Sequence, residues 1–169
     1  MIWLGRPAAL AFPNYPFGSL GRLVGGGNYL VDVEAAFRRG DTATVRRKFS
    51  ELRVARRSVP PGDLTLDALY PEAWLYAALG DDSAAAAWLD PTLDGLLATS
   101  PEVFSDPANA GALVQAMALR SELAARMGDT GTAARWASVV SVLWADADAF
   151  LQPRVSRLRN LTRGVPGVR

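Results

Sequence analysis

The sequence predicts an all-α fold of stacked antiparallel helical hairpins with a capping helix at its C-terminal end. Three observations lead there. Glycine is followed at once by aspartate at Gly40-Asp41, Gly80-Asp81 and Gly128-Asp129. Each pair separates two stretches whose apolar residues recur at helical spacing. Few stretches show the period-two alternation of a half-buried strand.

Residues 1–27 carry Pro7, Pro13, Pro16 and the run Gly25-Gly26-Gly27, so an irregular N-terminal segment is expected. Its aromatics, Trp3, Phe12, Tyr15 and Phe17, suit packing on a neighbouring surface or the edge of a missing repeat. From Asn28 the pattern turns helical: Tyr29, Val33, Ala36 and Phe37 share one face. Gly40 ends that helix, because a left-handed residue is needed to terminate it. Asp41 and Thr42 cap the next one, whose Val45, Phe49 and Leu52 form an apolar stripe. Pro60-Pro61-Gly62 stops it.

A second hairpin starts near Thr65. Pro71 is placed in the first turn of its first helix, where a missing N–H costs little, and Trp74, Leu75, Ala78 and Leu79 follow. Gly80 closes that helix. Asp81, Asp82 and Ser83 open its partner, which runs through the alanines of 84–87 to Trp88 and Leu89. Pro91 is expected to kink or divide it before Leu93, Leu96 and Leu97. The third hairpin begins at Ser105-Asp106-Pro107, a cap with proline just inside the helix. Its first helix passes Leu113, Met117, Leu119, Leu123 and Ala124 to Met127. Its second carries Ala133, Trp136, Ala137, Val140, Leu143 and Trp144. A last helix over 153–162 puts Val155, Leu158 and Leu161 on one side. The domain reading is an irregular segment over 1–27, a helical repeat domain over 28–163 and a disordered tail over 164–169.

The three bends share more than the pair itself. Five residues after each glycine stand Val45, Ala85 and Ala133; nine after, Phe49, Leu89 and Ala137; twelve after, Leu52, Thr92 and Val140. That spacing keeps one face of each second helix toward the first. The segment Leu123-Ala124-Ala125-Arg126-Met127-Gly128-Asp129-Thr130-Gly131-Thr132-Ala133-Ala134-Arg135-Trp136 resembles the tetratricopeptide repeat (TPR) family. It is similar to the end of that family's first helix, its turn, and the alanine-bearing start of its second. Tyr76 through Ala85 is a second match, and the likeness extends over about residues 28–147. The chain departs from the family in two ways. From Gly40 to Gly80 and from Gly80 to Gly128 the intervals are 40 and 48 residues, against a family period of about 34. The family's helix-A glycine falls here on Val33, Ala73 and Ser121. Longer connections at 58–63 and 100–106 account for the added length. The resemblance implies a TPR-like α-solenoid; the alternative is a non-repetitive helical bundle.

Composition narrows the function. The chain has no cysteine and no histidine, which removes disulfides, Cys/His zinc sites and histidine-based nucleophilic catalysis. Hydrophobic residues make up 50% and charged residues 21%, so a folded core is expected rather than bulk disorder. No segment approaches the ~18 apolar residues of a membrane span. Met1-Ile2-Trp3-Leu4 begins like a signal segment, but Gly5-Arg6-Pro7 interrupts it. Lys48 is the one lysine beside many arginines, which with abundant alanine suggests a GC-rich bacterial genome.

The resemblance implies a concave face lined by first helices that captures a peptide tail or partner helix. The polar residues there least explained by packing are Asp32, Glu72, Tyr76, Asn109, Gln115 and Arg120, with Asn28 and Asp67 beside them. They are candidate partner contacts or, equally, solvated surface positions. Charge is segregated along the chain. No Lys or Arg lies between Arg57 and Arg120, whereas the first hairpin and the tail after Phe150 are rich in arginine. This pattern fits steering of a charged partner, or charge balance between neighbouring hairpins.

Other signals carry less. Arg39-Gly40-Asp41 spells an adhesion tripeptide, but its glycine is needed for the bend. Asn160-Leu161-Thr162 is an incidental glycosylation sequence. Asp90 and Asp94 share a helical face without a nucleophile or base nearby in sequence, so they read as solvated acids. The expectation is a non-enzymatic protein–protein interaction or scaffold module, cytoplasmic, part of a larger bacterial regulatory protein. Its partner is expected to be a protein or peptide, with no cofactor, metal or membrane. The alternative is a helical binder of nucleic acid or an acidic partner through its Arg-rich end helices, with an enzyme third.

Overall fold

The computed structural model describes residues 29–56, 66–99, 101–105 and 107–163, and among them the chain is helical with no strand. The irregular segment expected over 1–27, residue Asn28, the connection 58–63 and the tail 164–169 lie outside the described residues. In chain order the helices are α1 (Tyr29–Arg38), α2 (Thr42–Arg56), α3 (Leu66–Ala78), α4 (Asp82–Asp94), α5 (Pro107–Arg126), α6 (Thr130–Leu143) and α7 (Gln152–Thr162). Two short 3-10 helices, Leu96–Ala98 and Pro101–Ser105, connect α4 to α5. The chain divides into two compact units, Met1–Ala68 and Leu69–Arg169.

The three glycine–aspartate bends are one motif built three times. Gly40, Gly80 and Gly128 hold φ of 74°, 79° and 82°, a left-handed conformation that glycine enters without steric cost. Each glycine N–H bonds back to a carbonyl of the closing turn: Phe37 at 2.9 Å, Ala77 at 3.0 Å and Ala125 at 3.2 Å. Each following aspartate N–H reaches further back, to Ala36 at 2.9 Å, Tyr76 at 3.0 Å and Ala124 at 2.9 Å. These two bonds satisfy carbonyls that a helix end otherwise leaves open. The same aspartates then turn forward. The Oδ1 of Asp41, Asp81 and Asp129 accepts from the N–H of Thr44, Ala84 and Thr132, each at 3.0 Å. One two-residue sequence therefore ends one helix and starts the next, leaving no slack between them.

In the first unit, α1 and α2 pack on each other. Val33 and Ala36 of α1 and Val45, Phe49 and Leu52 of α2 are buried, as the apolar stripes require. Lys48 Nζ donates to Asp32 Oδ2 at 3.2 Å beside that packing.

In the second unit, α3 meets α4 through the rings of Tyr76 and Trp88, 5.7 Å apart. Helix α4 packs on α5, α5 on α6 and α6 on α7, while α5 also touches α7. The α5–α6 hairpin is held by small residues: Ala116, Ala124, Ala133 and Ala137 are buried. Ser121 is fully enclosed, and its Oγ donates to the Ala133 carbonyl at 2.7 Å. The five, nine and twelve positions behave as the spacing demands. Ala85, Leu89, Ala133, Ala137 and Val140 are buried, and only Thr92 of this unit is half-buried.

Three local expectations need correction. Helix α3 starts at Leu66, so Pro71 lies in its second turn rather than its first. Helix α4 runs through Pro91 to Asp94 and ends at Gly95, whose N–H reaches the Pro91 carbonyl at 3.2 Å. The break expected at the proline thus falls after it, because proline forfeits a bond only to the preceding turn. Within the connection 100–106, residues Pro101–Ser105 form a 3-10 helix that packs on α5. No helix among the described residues is long and apolar enough to cross a membrane.

Candidate partner-binding surface

Asp32, in the first unit, is exposed on α1 and bound to Lys48. The five polar candidates of the second unit have different surroundings. Glu72 is wholly enclosed and Tyr76 is buried against Trp88. Asn109 is half-buried at the start of α5. Gln115 and Arg120 leave α5 on different sides. Gln115 Oε1 accepts from Arg154 of α7 at 2.5 Å, while Arg120 Nε donates to Asp90 of α4 at 2.6 Å. Asn28 lies outside the described residues, as does the side chain of Asp67.

Two ion pairs tie α4 to α5. Arg126 grips Asp82 with Nε and Nη2, both bonds 2.7 Å long. Arg120 binds Asp90 through Nε at 2.6 Å and Nη2 at 3.4 Å, and its Nη1 is buried without an acceptor. The hydrogen bond from Arg126, first among several influences, holds the Asp82 carboxyl below its ordinary value and the Arg126 guanidinium above its own. The acids rise along α4 as the arginines descend along α5, so the two helices run antiparallel. Asp82 and Asp90 of the lysine- and arginine-free stretch are thereby neutralised by the next hairpin. For these two residues the segregated charge is internal balance.

A second polar array locks α7. Arg154, 6% exposed, donates through Nε to Glu122 Oε1 at 2.8 Å and through Nη2 to Glu122 Oε2 at 3.2 Å. Its guanidinium also stands 5.8 Å from the Trp144 ring and interacts with Tyr70 of α3. Burial works against its charge, but Glu122 and then Tyr70 hold its pKa above the ordinary value. Sequence reasoning placed Arg154 in a basic tail without an acid nearby and missed this role. The available signal was its position four residues before Leu158, on the apolar side of the last helix.

The surface that remains lies on α6. Val139, Val142 and Leu143 are 37%, 75% and 55% exposed, and Phe150 in the following connection is 57% exposed. On a helix these three aliphatics share one face. Leu143, grouped with the apolar residues of this helix, and Met127, where the preceding helix was expected to end, are both exposed. The buried side of α6 is Ala133, Ala134, Trp136, Ala137 and Val140, which leaves Leu143 on the flank. Arg135 is exposed at one end of the strip, its guanidinium 4.6 Å over the Trp136 ring. Asp146 is exposed at the other, in the turn that continues α6. Among the described residues no cluster of three His, Cys, Asp or Glu side chains is placed to hold a metal ion.

Comparison of the chain with protein-family models, with curated proteins and with solved structures returned no match.

Proposed function

We propose that the chain is a non-enzymatic protein-interaction module, a TPR-like stack of helical hairpins that presents a binding strip on α6. The observation that carries this reading is the exposed aliphatic row Val139, Val142 and Leu143 on a helix whose opposite side is packed. Contiguous exposed apolar residues rimmed by charge mark contact surfaces in soluble domains. The repeated bends support the architecture: hairpins joined so tightly bury their interiors only against neighbours, and such stacks offer extended faces to partners. Part of a larger bacterial regulatory protein is the setting that the family resemblance suggests.

The partner is a protein or peptide with an apolar helical face. The nucleic-acid reading draws less support, because two cations of the basic helix α2 are already engaged: Arg47 with Glu51 at 2.7 Å and Lys48 with Asp32. Affinity capture from bacterial lysate, comparing the native chain with Val142→Asp, tests the proposal. A protein retained by the native chain and lost from the variant is expected. The same catch with both, or retention of random-sequence RNA that falls steeply with salt, would defeat it.

A further inference from the structure

The exposed strip of α6 is complementary to itself. Along α6 stand Arg135, Val139 and Val142, and Asp146 follows in the turn after the helix, at steps of four, three and four residues. Reversing the order of this series exchanges the two charges and the two valines and changes nothing else. Helix α6 laid antiparallel on α6 of a second copy therefore brings Arg135 to Asp146 of that copy, and Val139 to its Val142. The two-fold axis passes between Val139 and Val142, and each contact occurs twice, as an isologous interface requires.

We propose that the occupant of this strip is a second copy of the same chain, paired antiparallel through α6. The inference rests on the preceding reading of the strip as a contact surface and names what covers it. Charge complementarity selects this occupant and its direction. A parallel pairing sets Arg135 against Arg135 and Asp146 against Asp146, whereas the antiparallel one makes two opposite-charge contacts at the ends of an apolar centre. The helical part of the strip, from Arg135 to Val142, spans about 10 Å at ~1.5 Å per residue, and Asp146 follows in the turn after α6. Asp146 forms no ion pair among the described residues, and Arg135 meets no acid there, only the Trp136 ring. Neither charge has to leave an internal ion pair to reach the other copy, and Arg135 gives up only its place over the Trp136 ring. Leu143 flanks Val139 and Val142 on the same helix and adds apolar area. A strip along one helix face is small beside the interfaces of obligate dimers, so a reversible pair is expected.

Sedimentation velocity on the full chain over a range of concentrations tests this, with circular dichroism checking that each variant folds. The native chain is expected to pass from monomer to dimer near about 10–100 µM. Val142→Asp should weaken the dimer at least about tenfold, and Arg135→Asp and Asp146→Arg should each do the same, since each places like charges together at both ends. An equimolar mixture of Arg135→Asp with Asp146→Arg should dimerise as well as the native chain, because every contact across that mixed pair is again opposite in sign. The inference is overturned by a chain that stays monomeric at millimolar concentration, by a dimer indifferent to Val142→Asp, or by a mixture no more associated than its components. A monomeric chain that still captures a protein in a Val142-dependent way overturns the self-pairing and leaves the α6 contact surface standing.

Discussion

Gly128 and Gly131 are three positions apart, yet the same substitution should move stability in opposite directions. Gly128 holds φ of 82°, and a methyl group there meets nothing within 4 Å, so the cost of Gly128→Ala is backbone strain alone. That cost is roughly 1–2 kcal/mol. Gly131 sits in the first turn of α6, where an added Cβ makes only an ordinary contact, 3.7 Å from Asp129 Oδ1. Gly131→Ala should stabilise by about 0.5–1 kcal/mol through helix propensity. Urea denaturation of the two variants checks both signs. The caps add a dependence on pH. The hydroxyl and amide of Thr44 hold Asp41 below the ordinary carboxylate value, the amide and hydroxyl of Thr132 do so for Asp129, and Arg126 does so for Asp82. A carboxylate with a depressed folded pKa contributes its stability above the unfolded value and loses it as pH falls through the folded one. The melting temperature should therefore hold level above about pH 5 and fall below about pH 4, and a flat profile down to pH 2 would count against the caps. These bends were legible in the sequence because glycine followed by aspartate has a local physical meaning. Arg154 was not, because its acid, Glu122, lies 32 residues away and nothing local marks the pair.

At the scale of the element, α6 shows how far periodicity reaches. Its stripe correctly placed Ala133, Trp136, Ala137 and Val140 inside. Trp136→Ala should thus cost about 3–5 kcal/mol in unfolding free energy, and a loss under about 1 kcal/mol would put the ring outside the core. Leu143, carried by the same helix, stands on the flank of that stripe and is exposed. An apolar residue at the edge of a stripe is buried or exposed according to what packs beside it, and the neighbours come from tertiary structure. Pro71 and Pro91 teach a related lesson. Pro71 was placed one turn too early in its helix and Pro91 was read as a point to kink or divide one, yet both lie inside helices, because packing of the surrounding turns outweighs one lost backbone bond. Gln115 and Arg120 diverge for a similar reason. They looked equivalent along the chain, but α5 is packed between α4 and α6 and also touches α7, so each was drawn toward a different neighbour.

At the scale of the whole molecule, the α4–α5 crossing joins one hairpin to the next within the second unit. The sequence displayed the charges of that joint as a segregated pattern; which acid meets which arginine follows only from the antiparallel crossing. Arg120 carries the joint's deepest charge, its side chain 11% exposed against 39% for Asp90. A double-mutant cycle of Asp90→Ala and Arg120→Ala, read by urea denaturation, measures the joint directly. The account predicts a coupling of about 1–2 kcal/mol, as for a partly desolvated charged hydrogen bond. Losses that add to within about 0.3 kcal/mol would mean that the two hairpins do not hold each other there, and would contradict it.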